Sequence, residues 1–535
     1  MSQTAASTAP THSTGHAEST GRADSTGRAD STEPIDSTKP VGALQWDRPL
    51  NRIDGAWVEG AGERRIRVMD PTTGAEILEA AEASSAQVDE AIAAARTAFA
   101  DWSRRTPGER SDLMHAWARD LAEHADEFAR WESRQCGKPL KLTTQFDVAG
   151  TIDNVAFFAG AARILEGVAQ GEYSGDHTSS IRREPVGVIG SIAPWNYPLQ
   201  MAAWKILPAI AAGNTIVLKP AEITPFTSLL FAESAERAGI PAGVINIVTG
   251  GGRSVGTHLT THPGVDMVSF TGSTEVGRAI AATVPGKRLH LELGGKAPFV
   301  VFDDADLEAA AQGAVAASCI NTGQDCTAAT RAYVHESIHD AFVARVAELM
   351  DTVVLGAPDD AATDLGPLSS RGHQEKVAGM VERARDAGAT VVRGGSIPER
   401  DGYFYEPTLI TGAAQDSEIV QDEVFGPVLV VLPFTGDDEA IELANDTPYG
   451  LAASAWTRDV YRAGRASREI DAGCVWINDH IPIISELPHG GVKASGYGKD
   501  MSMYSLLEFT NVKHVISDIT GAARKDWHRI IFAGE

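Results

Sequence analysis

The chain has 535 residues, 43% hydrophobic and 22% charged, enough for two or three globular domains. Its 72 acidic against 46 basic residues give a net charge of −26, which disfavours nucleic acid or an anionic membrane as a partner. No apolar run approaches the roughly 18 residues that span a bilayer, and the N-terminus lacks the apolar stretch of a secretory signal. Cys136, Cys319, Cys326 and Cys474 are too scattered for a disulfide framework or a CxxC site, so no metal is expected. These features predict a soluble cytoplasmic protein with reduced thiols, and 52 glycines with 26 prolines fit a large α/β chain with many tight turns.

Residues 1–45 read as a decaying hexapeptide repeat: STGHAE, STGRAD twice, then STEPID and STKPVG. So little apolar surface cannot offset the entropy of ordering, and a disordered tail is expected. Folded sequence is expected from near Trp46. Apolar residues at three-to-four spacing in SAQVDEAIAAARTAFADW, and again after Glu109, predict helices over about 85–165. From Pro185, short β-rich runs (VGVIGSI, NTIVLK, GVINIV, MVSF, RLHLEL) alternate with helices starting near Pro198, Thr224, Arg253 and Ser273. That alternation predicts an α/β fold with a doubly wound parallel sheet and right-handed crossovers. A second α/β series from Pro298 to about Asn478 puts a boundary near residues 294–295 and a cleft between two α/β layers.

No GxGxxG follows the first strand of this series. Gly250, Gly251, Gly252 and Gly256 have the wrong spacing, and GGK at 294–296 lacks the rest of a P-loop. Three other segments are chemically richer. IAPWNYP at 192–198 leaves a strand and enters a helix, so Asn196 could donate a hydrogen bond beside a positive helix end. LELGGK at 291–296 sets Glu292 in an apolar strand end. NTGQDCT at 321–327 carries Cys326 on a polar loop after a helix, whereas Cys319 lies in the apolar AVAASCI.

Together with LKPAE at 218–222, FTGSTEVG at 270–277 and EVFGPV at 423–428, these segments resemble the aldehyde dehydrogenase superfamily from about 53 to 514, in the family's order. The resemblance implies a Rossmann-like NAD-binding domain (46–165 and 185–294) and an α/β catalytic domain (295–494). It also implies a small β oligomerisation flap (166–184 and 495–520) that builds a homotetramer, followed by a tail at 521–535. It implies Cys326 as the thiolate nucleophile, Asn196 and the Cys326 backbone N–H as oxyanion donors, and Glu292 as the base that hydrolyses the thioester. Lys205 and Asp500 resemble the proton-exit pair, where a glutamate usually stands in place of Asp500. For NAD, Lys219 and Glu222 match the adenosine-ribose positions, and Glu222 should repel a 2′-phosphate. Gly272, Ser273, Val276 and Gly277 would present backbone N–H groups to pyrophosphate. Glu423 and Phe425 match the nicotinamide-ribose and ring positions, and Ile192, Trp195, Gly252 and Leu293 would line the same cleft.

Among aldehyde substrates, the closest resemblance is to γ-aminobutyraldehyde dehydrogenases and related betaine aldehyde dehydrogenases. It lies in FFAGAARILEG, in IRREPVGVIGSIAPWNYPLQMAAWK and in SELPHGGVKASGYGKDMSMY. An ω-amino aldehyde brings an ammonium that must be paired or stacked. Tyr197 and Trp204, seven apart, could supply aromatic walls. Asp147, at an acidic mouth position of plant aminoaldehyde enzymes whose second member is Gly150 here, and Asp325 and Glu486 are candidate partners. His489 stands where betaine-oxidising plant enzymes carry tryptophan. The alternatives are a betaine aldehyde or general aliphatic aldehyde dehydrogenase and, more distantly, a CoA-acylating semialdehyde dehydrogenase, against which Glu292 argues.

Overall fold

The computed structural model of the protein describes residues 40–532, so most of the repeat tail, 1–39, lies outside the described residues. Regular structure is already present ahead of Trp46. A short 3-10 turn, Val41–Ala43, buries Val41, and the Val41 N–H donates to the Asp359 carboxylate at 2.9 Å. Burial of Val41 and Leu44 draws these residues, expected in the tail, into the fold.

The helical stretch starts and stops where its local chemistry dictates. Ser84 and Gln87 form a capping box before Ser85–Trp102. Thr106 and Glu109 do the same for Pro107–Glu123, with proline in its first turn. Gly137, at φ 74°, closes Ala125–Cys136. A π-helical turn, Thr143–Val148, then leads into Ala149–Ala162.

Two sheets and a flap follow. The first sheet has eight strands in the order 496–497, 288–292, 267–271, 188–192, 215–219, 245–247, 51–53, 56–58. Its five central strands run parallel and its outer ones antiparallel. The second sheet has seven, in the order 390–393, 408–411, 428–434, 329–335, 297–301, 452–456, 474–477, parallel except at its first edge. Central strands such as Thr215–Lys219 and Ala297–Val301 are buried on both faces, because helices cover a parallel sheet on each side. The first sheet's last strand before the crossover ends at Glu292 and the second sheet begins at Ala297.

The three-stranded flap pairs Gly171–Ser174, His177–Pro185 and Thr510–Asp518. The stretch 495–520, expected wholly in the flap, is divided. Gly496–Tyr497 extends the first sheet, and Ser502–Glu508 is a helix that buries Ser505 and Leu506. Only Thr510–Asp518 reaches the flap. Among the described residues no helix is long and apolar enough to cross a membrane.

In the first sheet the chain passes from 188–192 outward to 215–219 and 245–247, then returns on the other side at 267–271. That reversal is a topological switch point, where doubly wound sheets leave a crevice at the carboxyl ends of the strands. The segments leaving it are 193–197 and 272–273, which carry candidate site residues.

Candidate active site

A cavity of about 210 Å³ opens at this crevice, bordered by both sheets. Trp195, Asn196 and Tyr197 enter it from the loop after Val188–Ile192, and Gly272, Ser273 and Leu293 from the neighbouring strands. Cys326 and Asp325 come from the loop after Leu307–Cys319, and Glu423 and Phe425 from the second sheet's side.

The Cys326 loop is held by strain and by a carboxamide lattice. Asn321, Thr322 and Gly323 all have positive φ, at 50°, 56° and 68°, a costly run for two non-glycine residues. Asn196 donates from Nδ2 to the Gln324 carbonyl at 3.0 Å, and Asn321 donates to the Asn196 carbonyl at 2.9 Å. A carboxamide nitrogen carries two hydrogens, so Asn196 keeps one for a ligand oxygen beside Cys326. Asp325 accepts the Tyr197 hydroxyl at 2.8 Å and both the N–H and Oγ1–H of Thr327. Burial, with Asp325, Glu423 and Glu292 nearby, pushes the Cys326 thiol well above its usual pKa. The resting group is a thiol, and its activation needs a base or an arriving positive charge.

Glu292 lies outside this cavity. Its carboxylate is buried, neither oxygen has a hydrogen-bond partner, and Oε1 rests against Gly490. Gly490 has φ 150°, and a side chain there would collide with Glu292, so only glycine admits this arrangement. Burial and the Asp500 carboxylate raise the Glu292 pKa well above the ordinary range, against the opposing pull of Lys205. Lys205 pairs with Asp500 at 2.8 Å, both fully buried.

Along the first sheet's edge, Lys219 donates from Nζ to the carbonyls of Pro220 at 2.8 Å and Gly250 at 3.2 Å, and burial lowers its pKa to about 8. Glu222 is partly exposed and pairs with both terminal nitrogens of Arg64, one at 3.0 Å. Ser273 caps the helix Thr274–Thr283, with Val276 exposed beside it, and Gly277 lies so close to Leu293 that a side chain would collide. Ile192 ends its strand and Gly252 has open space around it. Thr271 Oγ1, on the cavity wall, is buried without a partner. An open helix N-terminus beside an orphaned hydroxyl, at a switch point, fits a ligand carrying pyrophosphate and hydroxyl groups. Glu423 accepts the Gly295 N–H at 2.8 Å, and burial raises its pKa.

Tyr197 and Trp204 line the cavity together, and Trp204 lies 5.1 Å from the His489 ring. Asp147 does not line it. Asp147 is wholly buried, paired with Lys138 at 2.8 Å, and Lys138 also lies 3.8 Å from the Tyr197 ring centroid. The expectation of Asp147 at a mouth is corrected: it lies buried in the π-helical turn, where the Lys138 ammonium offsets the cost of taking its carboxylate out of water. Glu486 is exposed and also outside the cavity.

Three residues escaped the sequence reading. His373 stands 5.0 Å from the Trp195 ring and donates from Nε2 to the Phe425 carbonyl at 2.7 Å. Arg64 arrives from an N-terminal loop. Asp153 borders an adjoining cavity that shares Phe146, Gln200 and Ile483 with the first, and it accepts the Ser485 hydroxyl. Neither His373 nor Arg64 has a local motif to announce it, whereas an acid one turn after Gly150 could have been weighed.

The Aldehyde dehydrogenase family model matches residues 57–515. Betaine aldehyde dehydrogenase of Bacillus subtilis is 41% identical over 479 residues, which cover 88% of this chain and 98% of that protein. An aldehyde dehydrogenase from Bacillus cereus, solved as an NAD+ complex, is 38% identical with a TM-score of 0.87, over 89% of this chain and 97% of that one. Betaine aldehyde dehydrogenase from Staphylococcus aureus, also solved with NAD+, is 38% identical with a TM-score of 0.87, over 90% and 97%. The chain belongs to the aldehyde dehydrogenase family.

Proposed function

We propose that the chain oxidises 4-aminobutyraldehyde to 4-aminobutyrate with NAD, through a thioester on Cys326. The observation that carries this reading is one cavity holding the Cys326 thiol, the Asn196 carboxamide, two aromatic walls and the Asp325 carboxylate. Cys326 attacks the aldehyde carbon as the thiolate, and the new oxyanion takes the spare Asn196 N–H and the Cys326 backbone N–H. NAD, when bound, supplies the hydride acceptor. The product on the protein is a thioester, which water cleaves once Glu292 turns from Gly490 toward Cys326 and takes the water's proton. Lys205 and Asp500 receive that proton behind it. Lys219 and Glu222 hold the adenosine ribose, Gly272 to Gly277 the pyrophosphate, and Glu423 and Phe425 the nicotinamide end.

The same reading takes the flap as a subunit contact that builds a homotetramer. Thr510–Asp518 is an edge strand exposing Val512 and Ile516, and an uncovered edge of that length invites pairing. All four cysteines are free, in keeping with a reducing, cytoplasmic setting.

For the substrate, an ammonium needs acceptors when it leaves water. Asp325 supplies a carboxylate inside the cavity and Asp153 another next door. A trimethylammonium cannot donate to either, and it would keep only their charge attraction and the faces of Tyr197 and Trp204. Betaine aldehyde is the second reading, favoured by the name of the Bacillus subtilis relative. Steady-state kinetics should rank 4-aminobutyraldehyde, in equilibrium with its cyclic pyrroline, above betaine aldehyde and both above butyraldehyde. The advantage over butyraldehyde should fade as the pH rises past about 10 and the amine loses its charge. Equal or better kcat/KM for butyraldehyde removes the amino-aldehyde reading.

Cofactor choice follows from the Arg64–Glu222 pair. With Glu222 in place, a carboxylate meets an incoming 2′-phosphate and the guanidinium is already matched. NAD should be preferred over NADP by at least about tenfold, or about 1.4 kcal/mol. Glu222→Gln frees Arg64 to take the phosphate, and calorimetric titration should show NADP+ binding tightened about tenfold or more. Unchanged NADP+ affinity would mean that Glu222 does not face the ribose.

A further inference from the structure

Alternation along the strand Arg288–Glu292 puts His290 and Glu292 on the same face, and both are buried. His290 Nδ1 is hydrogen-bonded to Ser269 Oγ at 2.8 Å on the neighbouring strand. Its Nε2 is buried and has no hydrogen-bond partner. That nitrogen lies 3.7 Å from Asp500 Oδ1 and 3.9 Å from Glu508 Oε2. Asp500 is sealed from solvent, whereas the Glu508 side chain keeps 34% of its exposure. Gly498 lets the three approach, since a side chain there would collide with the His290 ring and meet Glu508 Oε2 at 2.9 Å.

We infer that His290 relays protons from the buried Lys205–Asp500 pair to Glu508 and so to solvent. The inference rests on the thioester mechanism proposed above. Hydrolysis breaks a water O–H bond and leaves its proton on Glu292, which is buried and must shed it before the next turnover. The proton passes to Asp500, then to His290 Nε2, then to the Glu508 carboxylate and out. Only O–H and N–H bonds form and break, and nothing is oxidised or reduced. In the tautomer whose Nδ1–H donates to Ser269, Nε2 carries the lone pair that accepts the proton, with the Lys499 backbone close to the ring. Both gaps exceed a hydrogen bond by under about 1 Å, so each hop needs a small side-chain approach. The groups facing His290 are Lys205 from the helix Pro198–Ala211, Lys499 and Asp500 from the loop, Glu508 from its helix and Glu292 from its own strand. Burial and the Lys205 charge keep the imidazole neutral, so a proton is passed on rather than held.

A His290 that merely fills space would show itself differently. Stopped-flow absorbance follows the NADH burst, and quenched-flow mass spectrometry follows the acyl adduct on Cys326. In His290→Gln and in Glu508→Gln the burst should keep its rate, while adduct decay slows about tenfold or more. Added imidazole should restore decay in His290→Ala. Decay at the unaltered rate in folded His290→Gln overturns the relay. So does equal slowing of burst and decay without imidazole rescue, which marks a packing role. Should His290→Ala fail to fold, the two glutamine variants still decide. If the unaltered enzyme never forms an acyl adduct on Cys326, the thioester reading itself is what fails.

Discussion

Cys326→Ala should lose aldehyde oxidation by about a thousandfold or more while still binding NAD, because no other thiol lines the cavity to take over the proposed covalent step. Cys326 is the one cysteine bordering the cavity among the described residues. Cys319 is packed inside its helix, where burial lifts its pKa to about 12. Cys136 is buried behind the Trp195 carbonyl, and Cys474 lies in a strand of the second sheet. The proposed cofactor contacts of Lys219, Glu222 and Ser273 do not involve the thiol, so titration of intrinsic fluorescence with NAD should give an affinity within about threefold of the unaltered enzyme. More than a few per cent of kcat remaining in the alanine variant would exclude a thioester.

Glu292→Gln should produce one equivalent of NADH per active site and then stall, with turnover down by about 10²- to 10⁴-fold. In the proposed mechanism, carbon–sulfur bond formation and hydride loss need the thiolate and the Asn196 donor, and hydrolysis alone strictly needs a base. Glutamine keeps the size and the packing against Gly490 while removing the proton acceptor. The pH dependence has a definite sign. Burial and Asp500 raise the Glu292 pKa, so its basic form grows as pH rises through that elevated value. Deacylation in the unaltered enzyme should therefore accelerate with rising pH over that interval, and the glutamine variant should lack the limb. A variant that loses the burst but keeps steady turnover would assign Glu292 to the wrong step.

Much of this site is legible in the chain because its chemistry is carried by short, contiguous segments. NTGQDC and PWNYP each set a cavity-lining side chain beside the turn or helix end that positions it, and such local geometry leaves a local signature. The strands from Val188 to Glu292 read directly from their β-branched runs, since a parallel sheet buried on both faces demands them. The helix over 107–123 begins two residues ahead of Glu109 because Thr106 and Pro107 start it, a signal the apolar spacing alone does not contain.

The sequence by itself determined the α/β class, and it marked a change of strand–helix series near 294–295 and singled out Cys326, Glu292 and Asn196 as candidates. Those depend on periodicity and on motifs whose residues are neighbours in the chain. Only the tertiary structure decided which acids face the cavity. Asp147, in the π-helical turn, is buried against Lys138, and Asp153 borders the second cavity. Only the tertiary structure also brought Arg64 to Glu222, 158 residues away, and turned Glu292 toward Gly490 rather than Cys326. Glu292 has no hydrogen-bond partner and lies where Gly490 leaves it room, whereas Asp147 and Glu222 share one physical reason. A charged side chain settles against whichever partner repays its desolvation, and those partners come from elements that meet only when both sheets have folded.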